Sequence, residues 1–242
     1  MSTAERGGEP LRPTLLIARD RSALAGSAAD WIAEHIAATV AEHGSCAIAL
    51  AGGTTPAAAY ARLARAAVPW SAVRVYFGDE RAVPPDDPAS NYHMARETLL
   101  RHVPIPRTGI HRMEAESEDP DEAARRYEAV LPDRLDLLLL GVGADGHTAS
   151  LFPGAPALEE THRHVVPADS PAPPVRRLTI TPPVIAAARR VAVLVAGAAK
   201  AMAVARALEG ALDPREVPAQ LARGGTWLLD AEAASLLQKV PA

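Results

Sequence analysis

Cysteine, lysine, aromatic residues and long apolar runs are all scarce in this chain of 242 residues. The single cysteine, Cys46, excludes a disulfide framework and zinc modules built from cysteine. No apolar run approaches the roughly 20 residues that a membrane-spanning helix needs. The net charge of −4 argues against nucleic acid as the main partner, because the phosphate backbone selects basic faces. We therefore expect neither a membrane nor a nucleic-acid partner.

The first residues contain no apolar stretch behind a basic region, so they are not typical of a secretory signal. We expect a cytoplasmic protein with a flexible N-terminus over residues 1–12 and a single α/β domain over residues 13–242. Aromatic residues form only 4% of the chain, so the core must be packed mainly with small and aliphatic side chains. The choice between a monomer and a dimer stays open.

Short aliphatic runs alternate with alanine-rich stretches along the chain. Strands are predicted at Thr14–Ala18, Cys46–Ala51, Val73–Phe77, Leu135–Leu140, Val191–Ala196 and Thr226–Leu229. Helices are predicted near Arg21–Glu42, Pro56–Ala67, Asn91–Arg101 and Ala198–Glu209, with a last short helix after the final strand. Near-continuous apolar strands separated by helices are typical of a mostly parallel sheet covered on both faces. Functional residues are then expected just after the strands.

The segments between these runs carry weaker signals. Residues 167–183 contain six prolines and cannot be helical throughout. The strand-like letters RLTIT near the end of this segment predict an ordered part of the same domain. Residues 86–89 and 114–121 are predicted to be exposed loops.

The first candidate site loop is AGGTTP, Ala51–Pro56. Thr55 is predicted to be the helix N-cap, with Pro56 at the first helical position. A helix that begins directly after a strand offers free N–H groups to an anion. Gly52, Gly53 and Thr54 are therefore candidate phosphate ligands, and an ordinary tight turn is the alternative.

The second loop contains Asp79, Glu80 and Arg81, followed by Asn91. Three consecutive charges at a strand end are not needed for folding, and arginine is a natural planar ligand for phosphate. The alternative is a solvated loop in which Asp79 pairs with Arg81.

The third loop, residues 141–154, contains the letters GVGADGH. Its GxGxxG pattern after a strand raises the possibility of a dinucleotide site. Pro153 and Gly154 disfavour that site, because they interrupt the crossover helix that it needs. His147 lies at a strand end among glycines, and histidine suits general-base chemistry near neutral pH. Asp145 is placed to orient the imidazole or hold a water molecule. Ser150 does not lie in a GxSxG nucleophile elbow, which argues against a serine hydrolase.

The fourth group combines Arg176 and Arg177 with Lys200, one of only two lysines. Alternating strand faces let only one of the two arginines point inward, and Arg177 is the prediction. Lys200 lies at a helix start, where its charge gains nothing from the helix dipole, so it suggests a bound anion. A lysine with a solvated head group is the alternative. The close pair His162 and His164 lacks further ligands, so no metal site is expected.

Taken together, ALAGGTTP, VYFGDERAVPPDDPASNYHMARETLL, LDLLLLGVGADGHTASLFPG, RRLTIT and GAAK strongly resemble the 6-phosphogluconolactonase family. The resemblance covers the chain from about residue 15 onward. It implies a three-layer α/β/α, Rossmann-like fold with a mostly parallel sheet, shared with glucosamine-6-phosphate deaminase and ribose-5-phosphate isomerase. The implied activity is hydrolysis of 6-phospho-D-glucono-1,5-lactone in the oxidative pentose phosphate pathway, with no metal or organic cofactor.

The resemblance also implies roles for individual residues. His147 would act as general base, with Asp145 beside it. Phosphate would be held by Gly52, Gly53, Thr54, Arg81, Arg177 and Lys200. Asp79 and Asn91 would hold sugar hydroxyls or anchor their loop.

Two other functions stay open. Glucosamine-6-phosphate deaminases have a DEY-like motif at Asp79–Arg81 and need an acidic residue just past the DGH loop. Phe152–Gly154 occupies that stretch here, and no acid follows until Glu159, which favours the lactonase. A non-catalytic sugar-phosphate sensor is the second alternative, because one fold serves several functions.

Overall fold

The computed structural model describes residues 13–238, so the predicted flexible segment 1–12 and the last four residues of the predicted domain lie outside it. The strands are β1 Thr14–Ala18, β2 Cys46–Leu50, β3 Val73–Phe77, β4 Asp79–Arg81, β5 Leu137–Leu140, β6 Val165–Asp169, β7 Arg176–Ile180, β8 Arg190–Val195 and β9 Thr226–Asp230. The α-helices are α1 Arg21–His43, α2 Thr54–Leu63, α3 Asn91–Ala95, α4 Pro120–Glu128, α5 Pro182–Ala187 and α6 Ala201–Leu208.

The strands form two sheets. The main sheet has six parallel strands in the order β1-β9-β8-β5-β2-β3, flanked by helices. A small antiparallel sheet has the order β4-β7-β6. The predicted α/β fold with a mostly parallel sheet is confirmed, and the proline-rich segment is ordered as β6, β7 and the loop between them.

Several local predictions were wrong. Helix α2 begins at Thr54 rather than Pro56, and its N-cap is Gly53 rather than Thr55. The reason is the φ of +104° at Gly53, which turns the chain into the helix earlier than a residue with a Cβ would allow. A last helix after β9 does not form, because residues 231–236 make only separate turns. Helix α4 overlaps the predicted loop 114–121, and its N-cap Asp119 accepts a hydrogen bond from Glu122 N–H.

Small side chains let the helices pack closely on the sheet. Helix α1 buries one stripe at a spacing of four residues, formed by Leu24, Ala28, Ile32 and Ile36. The side chain of its N-cap, Asp20, accepts a hydrogen bond from Ala23 N–H.

Within residues 13–238, no helix combines the length and apolar character needed to cross a membrane.

Glu80 joins the small sheet to helix α3. Its carboxylate is 3% exposed and accepts bonds from three backbone N–H groups, those of Arg81, Asn91 and Tyr92, at 2.7–2.8 Å. The Ser90 hydroxyl donates a fourth bond at 2.9 Å. Burial raises the pKa of Glu80, and these four donors oppose that shift. The carboxylate therefore holds Arg81 and Asn91 in place from behind.

The variant Glu80→Gln is expected to lower the free energy of unfolding by about 2–4 kcal/mol, because an amide NH2 then faces groups that are themselves donors. Urea denaturation measures this loss. Glu97→Gln is the matched control, since Glu97 makes only surface ion pairs with Arg96 and Arg101 and its loss costs about 1 kcal/mol or less. Equal urea midpoints for the two variants would contradict the structural role of Glu80.

Candidate functional site

A cleft of about 570 Å³ lies at the carboxyl ends of the main-sheet strands, between them and the small sheet. All ten site residues predicted from the sequence line it, namely Gly52, Gly53, Thr54, Asp79, Arg81, Asn91, Asp145, His147, Arg177 and Lys200. Arg177 lines the cleft and Arg176 does not, as strand alternation predicts. The carboxyl-end location is the one expected for a ligand site in a parallel α/β sheet.

A larger cavity of about 880 Å³ lies elsewhere, between helix α4 and the segment that follows α3. Five arginines line it, but carboxylates already neutralise most of them. Arg112 pairs with Glu114 and Glu116, and Arg126 pairs with Glu114 and Glu122. We therefore locate the candidate site in the smaller cleft, where the cations are not neutralised in this way.

His147 and Asp145 form a hydrogen-bonded pair in the turn after β5. His147 Nδ1 lies 2.6 Å from Asp145 Oδ1, which also accepts the His147 backbone N–H at 3.2 Å. The ring packs on Phe152 with 4.6 Å between ring centroids. A Cβ on Gly143 would lie 2.1 Å from His147 Nδ1, so only glycine leaves room for this ring position. The turn therefore holds the imidazole with Nδ1 occupied and Nε2 as the remaining nitrogen for proton transfer.

Arg81 and Arg177 lie directly opposite each other on the paired strands β4 and β7. Within residues 13–238 neither makes an ion pair with a carboxylate. Their guanidinium groups are held by backbone carbonyls instead, Arg81 Nη1 by Ala89 and Arg177 Nε by Pro174. Burial and the charge of Arg81 lower the pKa of Arg177. Like charges in directly opposed cross-strand positions are destabilising, so this pair is suited to an anion that binds both.

Asp79 is buried, and its carboxylate accepts bonds from Asn91 Nδ2 at 3.0 Å and from the Ser150 hydroxyl at 2.6 Å. It makes no ion pair with Arg81, so the predicted alternative of an Asp79–Arg81 pair was wrong. Asn91 Nδ2 also donates to the Asp79 carbonyl at 2.9 Å. Because both acceptors fix the amide, Asn91 Oδ1 faces the space beside Gly52, where a Cβ would lie 1.9 Å from it.

Two buried polar atoms in the cleft have no protein partner. They are Nε of Arg81, a donor, and Oδ1 of Asn91, an acceptor. A buried polar atom without a hydrogen bond costs roughly 1–3 kcal/mol, so such atoms need a partner. Both atoms belong to residues that line the cleft.

The remaining ligand-facing groups come from helix starts after β2 and β8. The Tyr60 hydroxyl anchors the first loop, because it accepts Ala51 N–H at 2.9 Å and donates to the Ala51 carbonyl at 3.0 Å. The first-turn N–H groups of α2, at Thr54 and Thr55, line the cleft. Lys200 precedes α6, and burial lowers its pKa while the charge of Asp145 opposes that shift.

Sequence reasoning missed three residues that build the cleft. Ser150 was rejected as a nucleophile, and its bond to Asp79 was not foreseen. Glu80 was read as one of three charges not needed for folding, which was wrong. Asp230, 1% exposed, accepts Gly197 N–H at 2.9 and 3.0 Å and so fixes the loop before Lys200. A carboxylate at the end of an apolar strand, as in TWLLD, was the one available signal for Asp230.

No group of three or more histidine, cysteine, aspartate or glutamate side chains within residues 13–238 is arranged to hold a metal ion.

Comparisons with known proteins show the family of this chain. A family model described as glucosamine-6-phosphate isomerases/6-phosphogluconolactonase matches residues 19–229. A 6-phosphogluconolactonase of Mycobacterium tuberculosis is 43% identical over 237 residues, which cover 90% of this chain and 96% of that protein. The solved 6-phosphogluconolactonase of Trypanosoma brucei is 34% identical with a TM-score of 0.81, covering 93% of this chain and 98% of that one.

A solved monomeric glucosamine-6-phosphate deaminase has the same fold. It is 26% identical with a TM-score of 0.80, and the match covers 92% of this chain and 99% of that one. Since the family model spans most of the chain and close relatives are matched over nearly their full length, the chain belongs to the glucosamine-6-phosphate isomerase/6-phosphogluconolactonase family.

Proposed function

We propose that this protein is a 6-phosphogluconolactonase, which hydrolyses 6-phospho-D-glucono-1,5-lactone to 6-phospho-D-gluconate. The observation that carries the proposal is one cleft that contains both a His147–Asp145 pair and two opposed arginines without carboxylate partners. The His147–Asp145 pair can activate water, and the two arginines can bind a phosphate dianion. The relatives with this name support the same substrate.

In the proposed mechanism His147 Nε2 accepts a proton from water as its oxygen attacks the C1 carbonyl carbon. Asp145 accepts a hydrogen bond from Nδ1–H, which fixes the tautomer and stabilises the imidazolium that forms. The tetrahedral intermediate then breaks its bond between C1 and the ring oxygen. The imidazolium returns its proton to that oxygen, which becomes the C5 hydroxyl, and the product carboxyl loses a proton to solvent. A lactone carbonyl is already electrophilic, so water activation together with N–H donors from the glycine-rich loops for the oxyanion is sufficient.

We assign the phosphate to the cationic wall of the cleft. Arg81 and Arg177 converge from neighbouring strands, and Lys200 adds a third charge. Gly52, Gly53 and Thr54 contribute the start of helix α2, where N–H groups and the helix dipole favour an anion. The unpaired Asn91 Oδ1 is suited to a sugar hydroxyl.

The deaminase reaction fits the cleft less well. Within residues 13–238 only Asp79 and Asp145 contribute carboxylates to its lining. Glu159, the first acid after the His147 turn, is an exposed residue outside the cleft that pairs with Arg215 at 2.8 Å. The cleft therefore lacks the additional acid that the deaminase chemistry needs. A sensor without activity has no need of the oriented His147–Asp145 pair.

His147→Asn should reduce kcat for lactone hydrolysis by roughly 10²–10⁴-fold, because the variant loses the general base. Initial rates on freshly generated lactone, corrected for spontaneous opening, measure this loss. A variant that folds normally and keeps the wild-type rate would remove His147 from the role of base.

Gly143→Ala should lower kcat without removing any functional group, because its Cβ overlaps the observed position of the His147 ring. We expect a loss of roughly 100-fold, typical of displacing a reacting group by about 1 Å. Gly26→Ala is the control, since Gly26 lies within helix α1 and a Cβ there meets no atom within 4 Å. Both glycine-to-alanine variants are assayed at matched folded fraction, and equal activity would contradict the packing argument.

Arg177→Ala should raise KM roughly 10–100-fold, because a charge-assisted phosphate contact contributes about 1.5–3 kcal/mol. Arg176→Ala, the neighbouring residue outside the cleft, should leave KM unchanged. Lys200→Ala should weaken binding in the same direction as Arg177→Ala. Unchanged KM values for Arg177→Ala and Lys200→Ala would show that the phosphate binds elsewhere.

A further inference from the structure

The two functional halves of the cleft belong to different sheets. His147 follows β5 of the main sheet, whereas Arg81 and Arg177 lie on β4 and β7 of the small sheet. A substrate held at one half is attacked from the other, so the separation of the halves controls the geometry of the reaction. The contacts that join the two halves are therefore functional candidates.

Ser150 makes such a contact with both strands at once. Its hydroxyl donates to Asp79 Oδ2 at 2.6 Å, and its backbone N–H donates to Thr179 Oγ1 at 3.1 Å. Asp79 and Thr179 are direct cross-strand partners in the pairing of β4 with β7. Ser150, Asp79 and Thr179 are 1%, 8% and 0% exposed, so water does not compete for these bonds.

The small sheet then sets a fixed distance from Ser150 to the arginines. Arg81 and Arg177 form the cross-strand pair two residues further along the same strands. Residues two apart lie on the same face of a strand and are separated by roughly 6.6 Å along it. Ser150 is therefore bound to the same face as the proposed phosphate ligands, at one pleat repeat from them.

The turn that carries His147 transmits this position to the imidazole. Ser150 follows His147 by three residues, and the intervening Thr148 hydroxyl donates to the Gly141 carbonyl at 2.9 Å. Ala149 has a φ of +48°, a left-handed conformation that a non-glycine residue keeps only where its surroundings hold it. Bonds on both sides of Ala149 thus leave the turn little freedom to shift.

We propose that Ser150 is a positioning residue that holds the His147 turn in register with the Arg81–Arg177 pair, so that a lactone bound through its phosphate presents its carbonyl to His147. This inference rests on the proposed function. It assigns Asp79 as the anchor of Ser150, with one carboxylate oxygen bound to Ser150 and the other to Asn91.

The test measures kcat/KM of Ser150→Ala on two substrates, 6-phosphoglucono-1,5-lactone and unphosphorylated glucono-1,5-lactone. Loss of register lowers kcat/KM only for a substrate that both halves of the cleft hold. For the phosphorylated lactone, kcat/KM should therefore fall roughly 10–100-fold, most of it in kcat. For the unphosphorylated lactone, which adjusts freely to His147, the change should be less than about threefold. The ratio of the two kcat/KM values then falls by roughly tenfold or more.

Thr181→Val is the matched control. The Thr181 hydroxyl is also buried and donates to the Arg163 carbonyl at 2.6 Å, but it lies outside the cleft. Removal of the Thr181 hydroxyl should lower the urea midpoint and leave the ratio of the two kcat/KM values unchanged. If Ser150→Ala does not fold, Ser150→Cys keeps the volume with a weaker donor, and its ratio should fall in the same direction.

A Ser150 variant in which kcat/KM falls equally for both lactones, or in which the ratio of the two values stays at the wild-type level, would overturn the positioning role. Either result would leave the lactonase function intact. A wild-type protein that does not hydrolyse the phosphorylated lactone would instead overturn the proposed function, and the positioning role with it.

Discussion

The buried carboxylate of Asp79 is the contact on which the cleft depends. It binds Ser150 from the histidine turn and Asn91 from helix α3, so three separate segments meet at one side chain. Glu80, the next residue along the strand, accepts hydrogen bonds from the N–H groups of Asn91 and Tyr92 at the start of the same helix. Two adjacent acids therefore support the cleft from within the protein, and the groups that face the ligand are mainly cationic or neutral.

This arrangement concentrates positive charge in a chain whose net charge is −4. Arg81 and Arg177 are held opposite each other by carbonyl groups, which fix their direction without neutralising them. Like charges in directly opposed positions are unfavourable for the fold, and the proposed phosphate would offset their repulsion. A few cations in one cleft can attract an anionic substrate even when the protein as a whole is acidic.

The sequence predicts the parts of this structure that depend on local pattern. Strand runs such as Val73–Phe77 and helix stretches such as Arg21–His43 were placed to within a residue or two, because apolar period and glycine breaks are local signals. Placement of His147 and Lys200 after strands followed from the parallel topology, whereas Arg177 lies within β7 of the small antiparallel sheet.

Long-range contacts were not predictable in this way. The strand Asp79–Arg81 consists of three charged residues and forms only because β7, almost 100 residues later, pairs with it. The bond from Ser150 to Asp79 spans 71 residues, and no period or spacing indicates it. Asp79 was assigned from its motif to sugar hydroxyls or to a loop anchor, and the anchoring contact became visible only in three dimensions.

We propose that this cleft hydrolyses a phosphorylated lactone and does not deaminate an amino sugar phosphate. The most direct measurement compares the wild-type rates on freshly generated 6-phosphoglucono-1,5-lactone and on glucosamine 6-phosphate at the same enzyme concentration. We predict acid release from the lactone well above its spontaneous opening and no release of ammonia from the amino sugar. Ammonia release without accelerated lactone opening would contradict the proposed lactonase function.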